Sequence, residues 1–252
     1  MSRLSSEPLA QQVRHANRRF YDLAAAQYEA VDGRRTTAVL AWISERMAAL
    51  SQRCGGGRLL DIGCGSGVVL GCAEDYFVQR VGVDISSEIL KLAQKHGEAV
   101  CADAAQLPFA EGSFDAVVCF AALHHIYDHQ PLLAEVYRIL KPGGIFYSDH
   151  DMSRAFSDRF HWPLQLYRTL FNAQRRYQQA DSRLDAELYR LTEIHEQGID
   201  QESLITAMSA AGFAQVDASY HWYGLNGLLD RMRGTQPRGK GWAPLLTVYA
   251  VR

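Results

Sequence analysis

The 252-residue sequence predicts an α/β fold, a doubly wound and mostly parallel sheet with helices on both faces. Three observations carry that reading. Short apolar strand signals alternate with helix signals between Leu59 and Leu140. The run LLDIGCGSG (59–67) leads one such strand through a glycine-rich turn into a helix. Residues 151–199 then break the alternation, as an insertion does.

Each element has its own signal. Residues 8–30 read as helical, and residues 36–50 put Val39, Leu40, Ile43, Met47 and Leu50 on one helical face. CGGGR (54–58) interrupts the chain before the first strand. Further helices are expected at 68–78, at 86–96 with Ser86 as N-cap, and at 130–140. In the last of these Leu132, Leu133, Val136, Tyr137 and Leu140 form a stripe, which Lys141-Pro142-Gly143-Gly144 ends. The segment 151–199 is aromatic and basic and reads as two or so helices inserted after the fifth strand. A helix over 201–211 follows, with Asp200 as N-cap and Gly212 as C-terminal stop. Strands near 214–222 and 243–251 complete the sheet, joined by a short helix and a loop.

The glycine turn carries the first chemical signal. Gly63, Gly65 and Gly67 let the backbone turn at positive φ and let a ligand approach the main chain, with Cys64 as the small residue between two of them. Asp84 ends a second apolar strand, VGVDIS (81–86), at the spacing where a carboxylate accepts hydrogen bonds from ribose hydroxyls. The third glycine falls one residue early for a dinucleotide fingerprint. No lysine lies between Arg58 and Lys91, which excludes a Walker-type phosphate loop. Asp61, beside the turn, would repel a pyrophosphate but suits a ligand carrying an amino group and a positive sulfonium.

These motifs, in this order, resemble the class I S-adenosylmethionine (SAM) methyltransferases. CADAAQLPF (101–109) is similar to the family's third-strand segment, FDAVVCFAALHHI (114–126) to its fourth strand, and LAEVYRILKPGGIF (133–146) to its next helix, turn and fifth strand. The subgroup that looks nearest contains the ubiquinone/menaquinone-type small-molecule enzymes. The resemblance implies a Rossmann-like sheet with an antiparallel last strand and one domain over 1–252. It implies SAM as cofactor, S-adenosylhomocysteine as product, and Asp61, Gly63, Cys64, Gly65, Asp84, Ile85, Asp103, Ala104 and Phe120 as the cofactor contacts. Asp103 is the residue that the family places against the adenine amino group. N-terminal helices are expected within residues 1–50, and residues 8–30 together with the insertion 151–199 are expected to cap the acceptor pocket, with Tyr21 and Tyr28 on one face of the first helix.

Composition limits the partners. A net charge of −2 predicts no bulk attraction to nucleic acid or to an anionic membrane. No apolar run reaches bilayer length and no secretory leader is evident, so a cytoplasmic monomer or homodimer is expected. Five cysteines without C-x-x-C spacing argue against a disulfide framework or a zinc site, and Cys101 and Cys119 read as small core residues. Strand four reads Phe120-Ala121-Ala122-Leu123, which disfavours the exocyclic-amine nucleic-acid methylases. The expected acceptor is a small, apolar or aromatic molecule. Rival readings are a tRNA methylase, using the basic run Arg231, Arg233, Arg238 and Lys240, and a non-catalytic SAM-binding module. His124, at the end of strand four, and His150, inside the cluster SDHD (148–151), are the candidate catalytic residues. His150 is expected to take a proton from the acceptor with help from Asp149 or Asp151.

Overall fold

A computed structural model describes residues 8–31, 36–170, 173–224 and 236–252. In chain order the helices are α1 (Leu9–Ala24), α2 (Tyr28–Val31), α3 (Thr37–Cys54), α4 (Val68–Cys72), α5 (Ser87–Ala93) and α6 (His129–Ile139). Then come α7 (Arg154–Arg159), α8 (His161–Leu170), α9 (Ala173–Ala180), α10 (Ala186–Thr192) and α11 (Gln201–Ala211). The strands are β1 (Arg58–Ile62), β2 (Gln79–Asp84), β3 (Glu98–Cys101), β4 (Phe114–Phe120), β5 (Leu140–Met152), β6 (Gln215–His221) and β7 (Leu245–Val251).

The seven strands lie in the order β3-β2-β1-β4-β5-β7-β6. β1 to β5 run parallel, and β7 is antiparallel to both β5 and β6. This is the predicted doubly wound, Rossmann-like sheet with its antiparallel last strand. Strand alternation divides the apolar residues between the two faces. Leu60, Ile62, Val117 and Phe146 pack with α6 and α11 residues such as Val136 and Met208. Their neighbours Leu59, Ala116, Val118 and Tyr147 pack with Val39, Ile43, Met47 and Leu50 of α3. Parallel strands buried on both sides require such continuous apolar runs.

The caps follow the expected chemistry. The Ser86 hydroxyl accepts from the Ile89 N–H at 3.2 Å, and an Asp200 carboxylate oxygen accepts from the Ser203 N–H at 3.0 Å. Gly212 ends α11 with φ 109°. Three expectations need correction. The helix over 68–78 is only α4, because the Tyr76 carbonyl is taken by the Ser51 hydroxyl and the Val78 N–H pairs with Gly56, handing the chain to β2. Among the described residues the insertion holds four short helices, α7 to α10, and begins only after β5, which extends through Asp151 to Met152. Cys119 is buried as expected, but Cys101 is exposed, since β3 is an edge strand with a neighbour on one side only. The expected helix and loop before β7 fall largely on residues 225–235, outside the described residues.

The N-terminus and the insertion share a small core of their own. Val13, Ala16 and Phe20 of α1 bury against Leu184, Leu188 and Leu191, around α10. This contact lays α1 across the carboxyl ends of the parallel strands, where ligands bind in such sheets.

Candidate active site

A cleft opens at those strand ends. Asp61, Gly63, Cys64, Gly65, Asp84, Ile85, Asp103, Ala104 and Phe120, from four strand ends, all line it. The glycine turn is pinned to β2, with the Gly63 and Cys64 N–H groups donating to the Val83 carbonyl at 2.8 and 3.0 Å. Gly63 has φ 69°, and a Cβ there would approach the Ala122 side chain to 2.7 Å, so both backbone and space demand glycine. The Cys64 thiol faces Gly82, and burial pushes its pKa well up; it is a small filler at a tight crossing.

Two buried carboxylates dominate the electrostatics. Asp84 accepts from the Gly65 N–H and the Ser86 N–H, each at 3.0 Å, so it shapes the turn as well as facing the cleft. Burial raises its pKa, and the backbone donors oppose that rise. Asp61 has a buried oxygen, Oδ2, with no hydrogen-bond partner. Burial first, and the charge of Asp84 second, push its pKa well above the usual carboxylate range. Among the described residues neither carboxylate forms an ion pair. Such a site favours a ligand that brings positive charge and hydrogen-bond donors.

The opposite wall comes from α1 and α2. Arg14 pairs with Asp103 at 3.3 Å, and the Asn17 side-chain amide donates to the His125 carbonyl at 2.9 Å. Asp22 accepts from the Ser86 hydroxyl at 2.6 Å. Tyr28 lies over the glycine turn, near enough that a Cβ on Gly65 would touch its hydroxyl at 3.6 Å. Asp103 also accepts from the Ala105 N–H, so two of its contacts are already within the chain.

The histidines divide against the expectation for His124. His125, not His124, lines the cleft, together with Tyr21. His125 Nδ1 is 2.8 Å from the Thr192 carbonyl and Nε2 is 2.7 Å from the Tyr21 hydroxyl. A carbonyl only accepts, so Nδ1 carries the proton and Nε2 accepts from Tyr21. His124 turns away, its Nδ1 2.7 Å from Asp151 and its Nε2 3.6 Å from Glu193.

His150 is not part of the cleft lining either. Its ring stacks on Phe120 at 4.3 Å, with only a few per cent of the side chain exposed. The β5–β7 register shifts between Ser148 and Asp151, and His150 adopts the left-handed backbone at φ 66°. Asp149 becomes a buried hub that accepts from Trp42, Tyr147, His221, Thr247 and the His150 N–H. Burial alone would raise its pKa, yet the His150 and His221 imidazoles outweigh that and hold it well below the usual range.

Residues 60–148 match the sequence family described as a methyltransferase domain. A probable S-adenosylmethionine-dependent methyltransferase of Mycolicibacterium smegmatis is 28% identical over 180 residues, which cover 68% of this chain and 63% of that protein. The ubiquinone biosynthesis O-methyltransferase of Bordetella bronchiseptica is 33% identical over 118 residues, 43% of this chain and 47% of that one. The matched stretch is thus under two thirds of these relatives' length, and a tRNA methyltransferase is also among the curated relatives. A SAM-dependent methyltransferase structure from Thermotoga maritima shares the fold, with TM-score 0.59 and 16% identity over 93% of this chain and 98% of that chain.

Residues 60–148 thus carry a segment of the methyltransferase-domain family on the Rossmann-like sheet of its structural neighbours, a combination that points to SAM as methyl donor and S-adenosylhomocysteine as product. The cleft fits that donor. The unpartnered Asp61 oxygen suits its amino group, and two buried carboxylates with no ion pair among the described residues suit a net positive ligand.

Proposed function

We propose that the protein moves a methyl group from SAM to a small, apolar or aromatic acceptor. The observation that carries this is one cleft lined both by two buried carboxylates, Asp84 and an Asp61 with an unpartnered oxygen, and by the aromatic residues Tyr21, Tyr28, Phe120 and Tyr127. When bound, SAM supplies an electrophilic methyl group on a positive sulfur. Asp61 holds the amino group, Asp84 with Ile85 the ribose, and Asp103 with Ala104 the adenine edge. Gly63, Cys64 and Gly65 present main chain, and Phe120 walls the site.

Tyr21 and His125 handle the proton. An acceptor hydroxyl gives its proton to the Tyr21 oxygen while Tyr21 passes its own to His125 Nε2. The resulting imidazolium keeps its Nδ1–H on the Thr192 carbonyl. His124 and His150 take positioning roles here, His124 by tying the 123–125 turn to Asp151 and His150 by backing Phe120. The N-terminal helices and the insertion cap the acceptor, an assignment supported by the shared core of α1 and α10.

Calorimetry on folded Asp84→Ala tests the cofactor assignment, with an expected loss of about 1.5–3 kcal/mol in SAM binding. Unchanged affinity overturns it. Incubation with methyl-labelled SAM and cell extract tests the acceptor. Label in a small organic fraction supports the reading, whereas ribonuclease-sensitive label overturns it in favour of RNA. Of the basic run considered for RNA, Arg231 and Arg233 lie outside the described residues, and Lys240 pairs with Glu202.

A further inference from the structure

Among the described residues nothing covers one apolar face of the insertion. Trp162 and Leu166 of α8 are 78% and 64% exposed, and their i, i+4 spacing puts them on one side of the helix. Trp242, which precedes β7, is 58% exposed and adjoins the base of α8, with its ring 6.4 Å from Phe160. The Arg159 guanidinium lies 4.0 Å over that same ring. The patch therefore draws on two distant chain segments and mixes indole rings with cations.

Charge decides what such a face meets. Between Arg154 and Arg176 the sequence holds five arginines and one acid, Asp158, a local net charge of +4 in a chain of −2 overall. Arg154 and Arg168 of this run pair with Asp158 and Glu196, whereas Arg159 is exposed and lies against Trp242 itself. A second copy of this chain would bring the same positive charge to the contact. An anionic partner is favoured, and one with an apolar layer beneath its charge satisfies Trp162 and Leu166 as well.

We propose that α8 and Trp242 form a docking surface for an anionic lipid bilayer, with the helix lying in the interface plane. Indole rings settle at the headgroup level, aliphatic side chains enter the acyl boundary, and flanking arginines meet lipid phosphates. No helix among the described residues is long and apolar enough to cross a membrane, so the contact is peripheral. Arg168 of α8 donates to the Glu196 carbonyl at 2.6 Å, and elsewhere in the same insertion Tyr177 of α9 packs on Phe20 of α1, with ring centroids 5.0 Å apart, so the insertion bears both the lipid-facing helix and a contact to the cleft wall.

Flotation with vesicles tests this without any turnover, so its outcome is separate from that of the methyl-transfer reading. The full chain should float with phosphatidylglycerol-containing vesicles and not with pure phosphatidylcholine. Binding should fall several-fold as salt rises from about 0.05 M to about 0.5 M. Trp162→Ser with Leu166→Ser should weaken it by about tenfold or more, while SAM affinity and circular dichroism stay unchanged. Equal binding to neutral vesicles, no binding at all, or full binding by the double variant overturns the proposal. A dimer in solution that the double variant dissociates would assign the face to a second copy instead.

Discussion

The Tyr21 hydroxyl stands 2.7 Å from Nε2 of His125, a contact that joins α1 to the end of strand β4 across 104 residues. The Thr192 carbonyl fixes the ring's tautomer from the other side, so three separate segments assemble one proton acceptor at the cleft. If this relay serves methyl transfer to a hydroxyl, Tyr21→Phe and His125→Ala should each lower turnover by about 10²–10⁴-fold. SAM affinity should stay near that of the unaltered protein. His150→Ala should cost less than either. Single-turnover transfer of labelled methyl measures all three, and a Tyr21→Phe protein at full rate removes the relay.

Asp61 predicts an inverse relation between stability and binding. Its folded pKa is raised, so its favourable contribution is full below the unfolded value near 3.8 and is lost as pH rises through the folded value. A positive ligand beside the carboxylate offsets that loss. The rise in Tm caused by SAM should therefore grow with pH across this window. Asp61→Asn should raise the melting temperature of the free protein at any pH high enough to ionise Asp61, by roughly 2–4 °C for each kcal/mol relieved. The same variant should lose about 1.5–3 kcal/mol of SAM binding. Scanning fluorimetry with and without cofactor reads both effects.

Asp149 predicts the opposite sign. Its folded pKa is depressed, so its contribution is present above about 3.8 and fades as pH falls through the lower folded value. Asp149→Ala strands buried donors from α3, β5, β6 and β7 and should cost on the order of 3–5 kcal/mol. The gap in Tm between the two proteins should be flat above pH 5 and narrow below pH 4. A gap that persists undiminished into strong acid would separate the hub's role from its charge.

Hydrogen exchange should show α1 and the 184–192 segment gaining protection together when S-adenosylhomocysteine binds. The basis is their shared core and the hold of α1 on the strand ends through Arg14–Asp103, Asn17–His125 and Asp22–Ser86. Protection confined to β1, β2 and β4 would mean that these segments do not close over the cofactor.

Local chain grammar made much of the fold readable. The Ser86 and Asp200 caps, the Gly212 stop and the glycine turn each depend on a few neighbouring residues, and their chemistry is the same in any context. Cys101 failed because burial depends on a strand's neighbours, and β3 lies at the edge. α4 fell short of its prediction because a hydroxyl from α3, Ser51, takes the Tyr76 carbonyl.

The site divides along the same line. By itself the sequence determined the strand-end carboxylates Asp61 and Asp84 and the glycine cradle between them, because a parallel strand delivers its last residue to one known edge. Of the two adjacent histidines it singled out His124, and the cleft is lined by His125 instead. Only the tertiary structure turned His125 into the cleft and His124 toward Asp151, since the partners that orient the rings come from 27 to 104 residues away. The withdrawal of His150 behind Phe120 likewise follows from a register shift against β7, which no local pattern in SDHD encodes. Side-chain direction at an irregular strand end is set by long-range hydrogen bonds, and those exist only once the chain has folded.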